Sequence, residues 1–337
     1  MTAESPAPVM ADVARLAGVS HQTVSRVVNN LPNIKPSTRK RVEDAIAALG
    51  YQPNTAARAL VTRKSGAIGL IGVETNLYGP VSIRNSVEKA IRDAGYFSIS
   101  VTLQSTTTDA LRSAIDHLTR QSVEGIVMIV TQADALEMVR WQRFGAPLVV
   151  VEGDLSQGRF AVGVDQTLGA TLAVRHLLEL GHTRIAHVAG PADWTEGEAR
   201  SAAWRDALAA AGIAERPLWQ GDWSAGSGYR AGLEIAADPS LTAVFVANDQ
   251  MAIGVLRALH ESGLRVPGDI SVVGFDDTPE SGYLIPPLTT VRQEFGLVGE
   301  RAMEILHAAI TGRDEDLARL VEPVFVPRAS TAPPAPR

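Results

Sequence analysis

Four acidic side chains, one amide and one guanidinium fall where β-rich runs of the chain end. Asn248 and Asp249 follow AVFVA, Asp276 and Asp277 follow ISVVGF, and Glu152 follows PLVVV. Arg200 opens the helical stretch after the run at 184–190. Such a set bonds vicinal hydroxyls in pairs, and the flat faces of Trp223 and Phe295 suit the C–H side of a sugar ring. The competing reading is structural: strand-end acids also cap helices, a role that suits Asp249, and aromatic rings fill cores. A second set, His21, Gln22 and Arg26, lies on one short helix near the N-terminus. Gln pairs bidentately with adenine and Arg with guanine, while Ser20, Thr23, Ser25 and Asn29 suit phosphate oxygens. Any three-helix bundle with a polar face presents the same pattern.

Catalytic constellations are missing. The seven histidines form no HExxH pair, and Ser227 in AGSG is not framed as a nucleophile elbow. Gly66, Gly69 and Gly72 do not fit a dinucleotide fingerprint, and no phosphate-loop lysine is present. Asp276 and Asp277 are adjacent at a strand end, where neighbouring side chains point apart. The expectation is a non-enzyme with no metal and no cofactor.

The elements that position these residues follow from periodicity. From Ala67 onward short apolar runs alternate with amphipathic stretches. The strand-like runs are 67–73, 97–101, 125–130, 147–152, 184–190, 243–248 and 270–276, with helices such as 109–121 and 249–263 between them. Two successive series of βα units predict an α/β core of two parallel-sheet lobes, with ligands beyond the C-terminal strand ends. Upstream, the pattern is all-α. Val13, Ala14, Leu16 and Ala17 form one apolar face, Gly18 breaks the run, and Ser20 caps a helix carrying Val24, Val27 and Val28. A third helix begins at Pro36 with Lys35 as a poor cap. This is a helix-turn-helix, which presents the start of its second helix to a major groove.

Charge agrees with that division. The net charge is −6, yet residues 1–64 hold nine Lys/Arg against four Asp/Glu. A basic head on an acidic body suits contact with a polyanion through the head alone. Asn54 suits the cap of a short helix over 55–61, in which Ala56 and Ala57 permit close backbone approach and Leu60 is an apolar wedge for minor-groove steps. That helix is too short to persist alone in water, so the segment reads either as an interdomain linker or as a helix that forms only on DNA. The 337 residues, 45% hydrophobic and 20% charged, suit two or three domains. No cysteine occurs, no apolar run approaches a membrane span, and MTAESPAP lacks the features of an export signal. A cytoplasmic protein is expected.

DVARLAGVSHQTVSRVVNN, YQPNTAARAL, GDWSAGSGYRAG, VANDQMAIGVLRALHESGLRVPGDISVVGFDDT and IPPLTTVRQEF resemble the LacI/GalR repressor family. The resemblance runs to about residue 328. It implies a periplasmic-binding-protein-like core and a homodimer on a pseudo-palindromic operator. Each head would enter one half-site, with Asn54, Ala57 and Leu60 in a hinge that kinks the central step. It also implies a repressor of sugar-utilisation genes whose effector, a galactoside first of all, binds at Leu77, Ile83, Glu152, Asp165, Arg200, Trp223, Asn248, Asp276, Gln293 and Phe295. Two positions depart from the pattern: Glu152 replaces a shorter aspartate, and Val164 an aromatic ring. No leucine-rich heptads follow Arg328, so a dimer is expected rather than a tetramer.

The expected organisation is a disordered start (1–8), head (9–50), hinge (51–65), effector core (66–328) and disordered tail (329–337). The core divides into an N-lobe of about 66–164 and 294–322 and a C-lobe of about 165–291 and 323–328. The alternatives are a same-fold regulator answering a glucoside or a purine corepressor, and, more distantly, a sugar-binding protein without a DNA role.

Overall fold

A computed structural model of the chain describes residues 8–29, 32–52, 65–131, 145–152, 160–214, 217–313 and 319–335. It divides into two compact units, residues 1–65 and 66–337. Asn54, Ala57 and Leu60 of the expected hinge lie outside the described residues, as do residues 1–7 of the expected disordered start.

The first unit contains α1 (Met10–Ala17), α2 (His21–Val28) and α3 (Pro36–Leu49). Asp12 accepts the Val9 N–H at 3.0 Å, which ties the start of α1, and Gly18 ends it in the left-handed region at φ 63°. A side chain is disfavoured there, so glycine sets the turn. Ser20 then caps α2 by accepting the Thr23 N–H at 3.1 Å. Lys35 gives α3 no side-chain cap, and Pro36 supplies the pre-set first position. Val13, Ala14, Ala17, Val24, Val27, Val42, Ala45 and Tyr51 close the small core. Leu16 departs from expectation: it is exposed, because α1 turns its Val13–Ala14–Ala17 side inward.

The second unit begins with β1 (Ala67–Val73), α4 (Tyr78–Asp93), β2 (Phe97–Leu103), α5 (Thr108–Arg120), β3 (Gly125–Ile129), β4 (Leu148–Val151) and β5 (Ala161–Val164). It continues with α6 (Gln166–Glu179), β6 (Ile185–Ala189), α7 (Thr195–Ala210), β7 (Leu218–Gln220), α8 (Ala225–Ala237), β8 (Ala243–Val246), α9 (Asp249–Glu261) and β9 (Ser271–Val273). The last elements are β10 (Thr290–Arg292), α10 (Phe295–Thr311), β11 (Leu320–Val321) and β12 (Val324–Val326). One parallel sheet has the order β11-β5-β4-β3-β1-β2, with Ala67 opposite Phe97 and Ile68 opposite Gly125. The other runs β7-β6-β8-β9, and β10 pairs antiparallel with β12. Strands β1, β3, β6 and β8 are buried almost throughout, as sheets covered on both faces require. Helices α8 and α9 meet at Gly228 and Gly254, where any Cβ would overlap the facing backbone.

The expected disordered tail is a correction. Ser330 is fully buried; its hydroxyl accepts the Thr289 N–H at 2.8 Å and donates to the Val272 carbonyl at 2.6 Å. Ala332 bonds Ser271 Oγ through its N–H at 3.1 Å, and its carbonyl accepts from that hydroxyl at 3.0 Å. The reason is β9, an edge strand whose free backbone groups need partners. A composition of Ala, Pro and small polar residues carries no trace of that demand.

Candidate effector pocket and DNA-reading helix

Every wall of the main pocket comes from a segment that follows a strand. Leu77, Tyr78, Pro80 and Ile83 follow β1, Thr131 follows β3, Glu152 follows β4, and Gln166 follows β5. From the other sheet Trp194, Glu196 and Arg200 follow β6, Trp223 follows β7, Asn248 and Gln250 follow β8, and Asp276 follows β9. Gln293 and Phe295 follow β10. Together these residues line one pocket.

The polar groups form one chain of bonds. Glu152 Oε1 accepts the Val164 N–H at 3.1 Å, and its Oε2 accepts from Gln166 Nε2 at 3.2 Å. The same Gln166 amide donates to Gln293 Oε1 at 2.9 Å, while Arg200 Nε donates to Gln166 Oε1 at 2.9 Å. Gln293 Nε2 in turn donates to Asp276 Oδ1 at 2.6 Å, and Arg200 Nη1 stands 4.0 Å from that oxygen. The guanidinium carbon lies over the Phe275 ring, 3.9 Å from its centroid, and 5.5 Å from that of Trp223. A planar cation so held is pre-set for paired hydrogen bonding.

Three carboxylates share this buried space with one cation. Burial pushes Glu152 up, and burial with repulsion from Glu152 pushes Glu196 up further. Burial raises Asp276 to about 6 against the pull of Arg200. Glu152, Trp223 and Asp276 have φ of 66°, 67° and 117°, values that side-chain-bearing residues rarely adopt. Backbone held this way by its surroundings is characteristic of binding sites. Trp223 Nε1 and Gln250 Oε1 are buried without a partner among the described residues. A hydroxyl-bearing ligand offers an acceptor to the first and a donor to the second. Trp194 and Trp223 meet edge to face at 5.7 Å, and Tyr78 meets Phe295 at 6.1 Å.

Of the residues expected around an effector, Leu77, Ile83, Glu152, Arg200, Trp223, Asn248, Asp276, Gln293 and Phe295 are brought together. Asp165 is not in the wall. Its Oδ1 accepts the Leu168 N–H at 2.8 Å and caps α6, which leaves Gln166 to face the pocket. Asn248, not Asp249, caps α9: its Oδ1 accepts the Met251 N–H at 2.9 Å, and its Nδ2 donates to the Trp223 carbonyl at 3.1 Å. Asp249 is buried elsewhere, accepting Ser281 Oγ at 2.5 Å and Thr290 Oγ1 at 2.6 Å. Asp277 points away to Arg328 at 2.6 Å. Glu196 and Trp194 were not anticipated. Glu196 lies four residues before Arg200, the spacing that puts both on one helix face.

On α2, His21, Gln22 and Arg26 are exposed. Arg26 Nη2 donates to the Pro32 carbonyl at 3.0 Å. Ser20 and Thr23 hydroxyls are 2.9 Å apart, and Asn29 Nδ2 donates to the Ser25 carbonyl at 2.8 Å. Ser20 and Thr23 thus fix each other's positions, as do Ser25 and Asn29, beside the exposed residues of α2. Among the described residues no helix is long and apolar enough to cross a membrane, and no cluster of three His, Asp or Glu could hold a metal.

Residues 9–54 match the family described as bacterial regulatory proteins, lacI family, and residues 174–331 match a periplasmic binding protein-like domain. The lactose operon repressor of Escherichia coli (strain K12) is 35% identical over 326 residues, covering 96% of this chain and 90% of its own. The crystal structure of the lac repressor dimer bound to operator and the anti-inducer ONPF superposes with a TM-score of 0.88 at 34% identity, over 96% and 99% of the two chains. The complex of the transcriptional regulator CelR with cellobiose superposes with a TM-score of 0.69 at 32% identity, over 96% and 99%. With a helix-turn-helix, a two-sheet core and this similarity over nearly its full length, the chain belongs to the lacI family of bacterial regulatory proteins and is a transcriptional repressor with an effector-binding core.

Proposed function

We propose that the chain acts in the cytoplasm as a homodimer, holds a pseudo-palindromic operator of sugar-utilisation genes, and releases it when a neutral saccharide enters the pocket. The observation that carries the saccharide reading is the buried chain Glu152–Gln166–Arg200 and Gln166–Gln293–Asp276, closed by Trp223 and Phe295. Acceptors, donors and flat apolar faces alternate around it, as a polyol ring requires. The guanidinium of Arg200 in the wall already donates from Nε to Gln166 and from Nη1 to the Ala247 carbonyl, which disfavours a phosphate or carboxylate ligand. Galactosides come first because the chain is similar to the lactose operon repressor. Glu152 folds its longer side chain back onto the Val164 N–H, beside the small Val164 side chain, and so leaves room for other glycosides.

DNA reading falls to Gln22, Arg26 and His21 in each major-groove half-site, with Ser20, Thr23, Ser25 and Asn29 near phosphates. Asn54, Ala57 and Leu60 form the hinge that orders on the operator and kinks it. Effector binding favours a lobe arrangement in which the hinges no longer order together.

The test is operator release. Duplexes selected from a random pool with the purified protein are titrated with galactosides, glucosides, other oligosaccharides and purines, and bound DNA is followed by fluorescence anisotropy. Release by at least one saccharide is expected. Release by purines alone, or tightening by a purine, would replace the saccharide reading with the corepressor one.

A further inference from the structure

The second compact unit begins at Gly66, directly after Ser65 closes the first. Three hydrogen bonds hold that entry point. The Gly66 N–H donates to Glu124 Oε1 at 2.7 Å, the Gly66 carbonyl accepts the Phe97 N–H at 3.0 Å, and the Ala67 carbonyl accepts the Glu124 N–H at 2.9 Å. The last two continue the sheet, but the first does not. Strand β3 starts at Gly125, opposite Ile68, so Gly66 lies two residues past the end of that ladder and its N–H meets a side chain instead. An ionised acceptor makes such a bond roughly twice as strong as a neutral one. The turn after α5 delivers Glu124 to this place: Ser122 takes φ 57°, and the Val123 N–H returns to the Leu118 carbonyl at 3.4 Å. Gly66 itself has φ 71°, which glycine adopts without strain, and a Cβ there would stand 3.6 Å from the Phe97 ring. At their other ends the same strands lead to the pocket wall, β1 to Leu77 and Tyr78 and β3 to Thr131.

We infer that Glu124 is a positioning residue for operator binding: its carboxylate pins Gly66 and so fixes where the chain leaves the core for the DNA-binding head. In a homodimer two such exits limit how far apart the heads can stand, and with it the half-site spacing that the protein accepts. Without the Glu124 bond, Gly66 keeps its β2 partner and loses the one on the β3 side, so the exit can turn. Operator binding then weakens, and discrimination between spacings weakens with it. This inference rests on the reading of a dimer on two half-sites and adds the residue that sets their separation.

The experiment uses the full-length protein and a duplex selected with it from a random pool, with and without one base pair inserted between the half-sites. The insertion moves the half-sites apart by about 3.4 Å and turns them by about 34°. Fluorescence anisotropy gives the penalty, the ratio of the two affinities, for each variant. Glu124→Ala should lower affinity for the selected duplex about ten-fold, about 1.4 kcal/mol, and shrink the penalty about ten-fold relative to the parent. Glu124→Asp keeps the charge but ends one methylene short of the Gly66 N–H. It should move both quantities the same way, which guards against a misfolded first variant. Glu124→Gln keeps an acceptor at full length and should restore both most of the way. A role confined to stability would lower the urea midpoint and leave the penalty alone. A penalty unchanged in both the Ala and Asp variants, or a Gln variant as tolerant as the Ala one, overturns the inference and leaves the two-half-site reading standing. Selected duplexes without a two-fold repeat overturn both.

Discussion

Asp276 is buried, accepts a 2.6 Å bond from Gln293 Nε2 and lies 4.0 Å from the Arg200 guanidinium. Burial nevertheless outweighs both partners and raises its carboxyl from 3.8 to about 6. The folded protein thus binds this proton more tightly than the unfolded chain does. Ionising the group on the way to neutral pH costs stability: the cost is absent below about pH 4 and complete above about pH 6. A shift of about two pH units corresponds to about 3 kcal/mol. On the proposed saccharide reading, the group ionised at neutral pH is a charged acceptor, and each ligand hydroxyl bonded to it would be worth about 1.5–3 kcal/mol.

Asp276→Asn separates these two effects. The amide does not titrate, so the variant should gain about 3 kcal/mol relative to the parent between pH 4 and pH 7.5. Over the same substitution sugar affinity should fall about 10- to 100-fold, for one or two weakened bonds. Operator affinity without sugar should be unchanged. Urea unfolding at the two pH values gives the first quantity, and calorimetry with anisotropy gives the others. A stability difference that does not change with pH refutes the burial argument, and a sugar response equal to the parent's removes Asp276 from the site.

Glu196→Gln removes a carboxyl raised by burial and by Glu152, so it should raise the melting temperature above neutral pH and change it little at pH 5. Equal effects at both pH values would count against ionic repulsion in the wall. Arg26→Ala should erase preference at one operator position, about 1–3 kcal/mol per base contact, while sugar binding persists; unchanged specificity would dismiss Arg26 as a reader. Ser330→Ala should destabilise the core by about 1–3 kcal/mol, because the Thr289 N–H and the Val272 carbonyl lose their partner. A silent change in urea unfolding would mean that the tail does not seal the sheet edge in solution. Operator affinity should fall about 10³–10⁵-fold between 50 and 200 mM salt if six to ten phosphates are neutralised, which a filter-binding series measures.

The turn at Gly18 and Ser20 was legible because both residues answer a local demand, a left-handed backbone and an orphan N–H. The strand ends were legible for a similar reason, since continuous apolar runs stop abruptly at polar residues in β4, β8 and β9. Strands β5, β7 and β10–β12 were not, for they are two to four residues long and owe their existence to neighbouring strands. Asp165 and Gln166 show the limit at the site itself. One residue is about 100° of helix rotation, so which of the two faces the pocket depends on where α6 begins. Sequence marks a cap there, and the cap is Asp165. Leu16 failed by the same measure, lying just off the buried stripe of α1.

Gln166 also shows how a pocket of this design couples to the rest of the core on the proposed mechanism. It bonds Glu152, which follows a strand of the six-stranded sheet, and Arg200, which follows a strand of the four-stranded one. The bond that joins the two lobes' acids and cation is therefore a neutral amide, stronger than none and weaker than a direct ion pair. An effector moves a two-state equilibrium only by its unequal affinity for the states, and full reversal from 1:99 takes about 5.5 kcal/mol. A ligand whose hydroxyls engage Glu152 on one side and Arg200 with Asp276 on the other gains that difference in whichever lobe arrangement lets it reach both. A direct Arg–Glu pair across the lobes would resist such insertion, since a ligand would have to break a buried charge pair. On the proposed mechanism, the amide link keeps Glu152 and Arg200 bonded yet displaceable, as release by an effector would require.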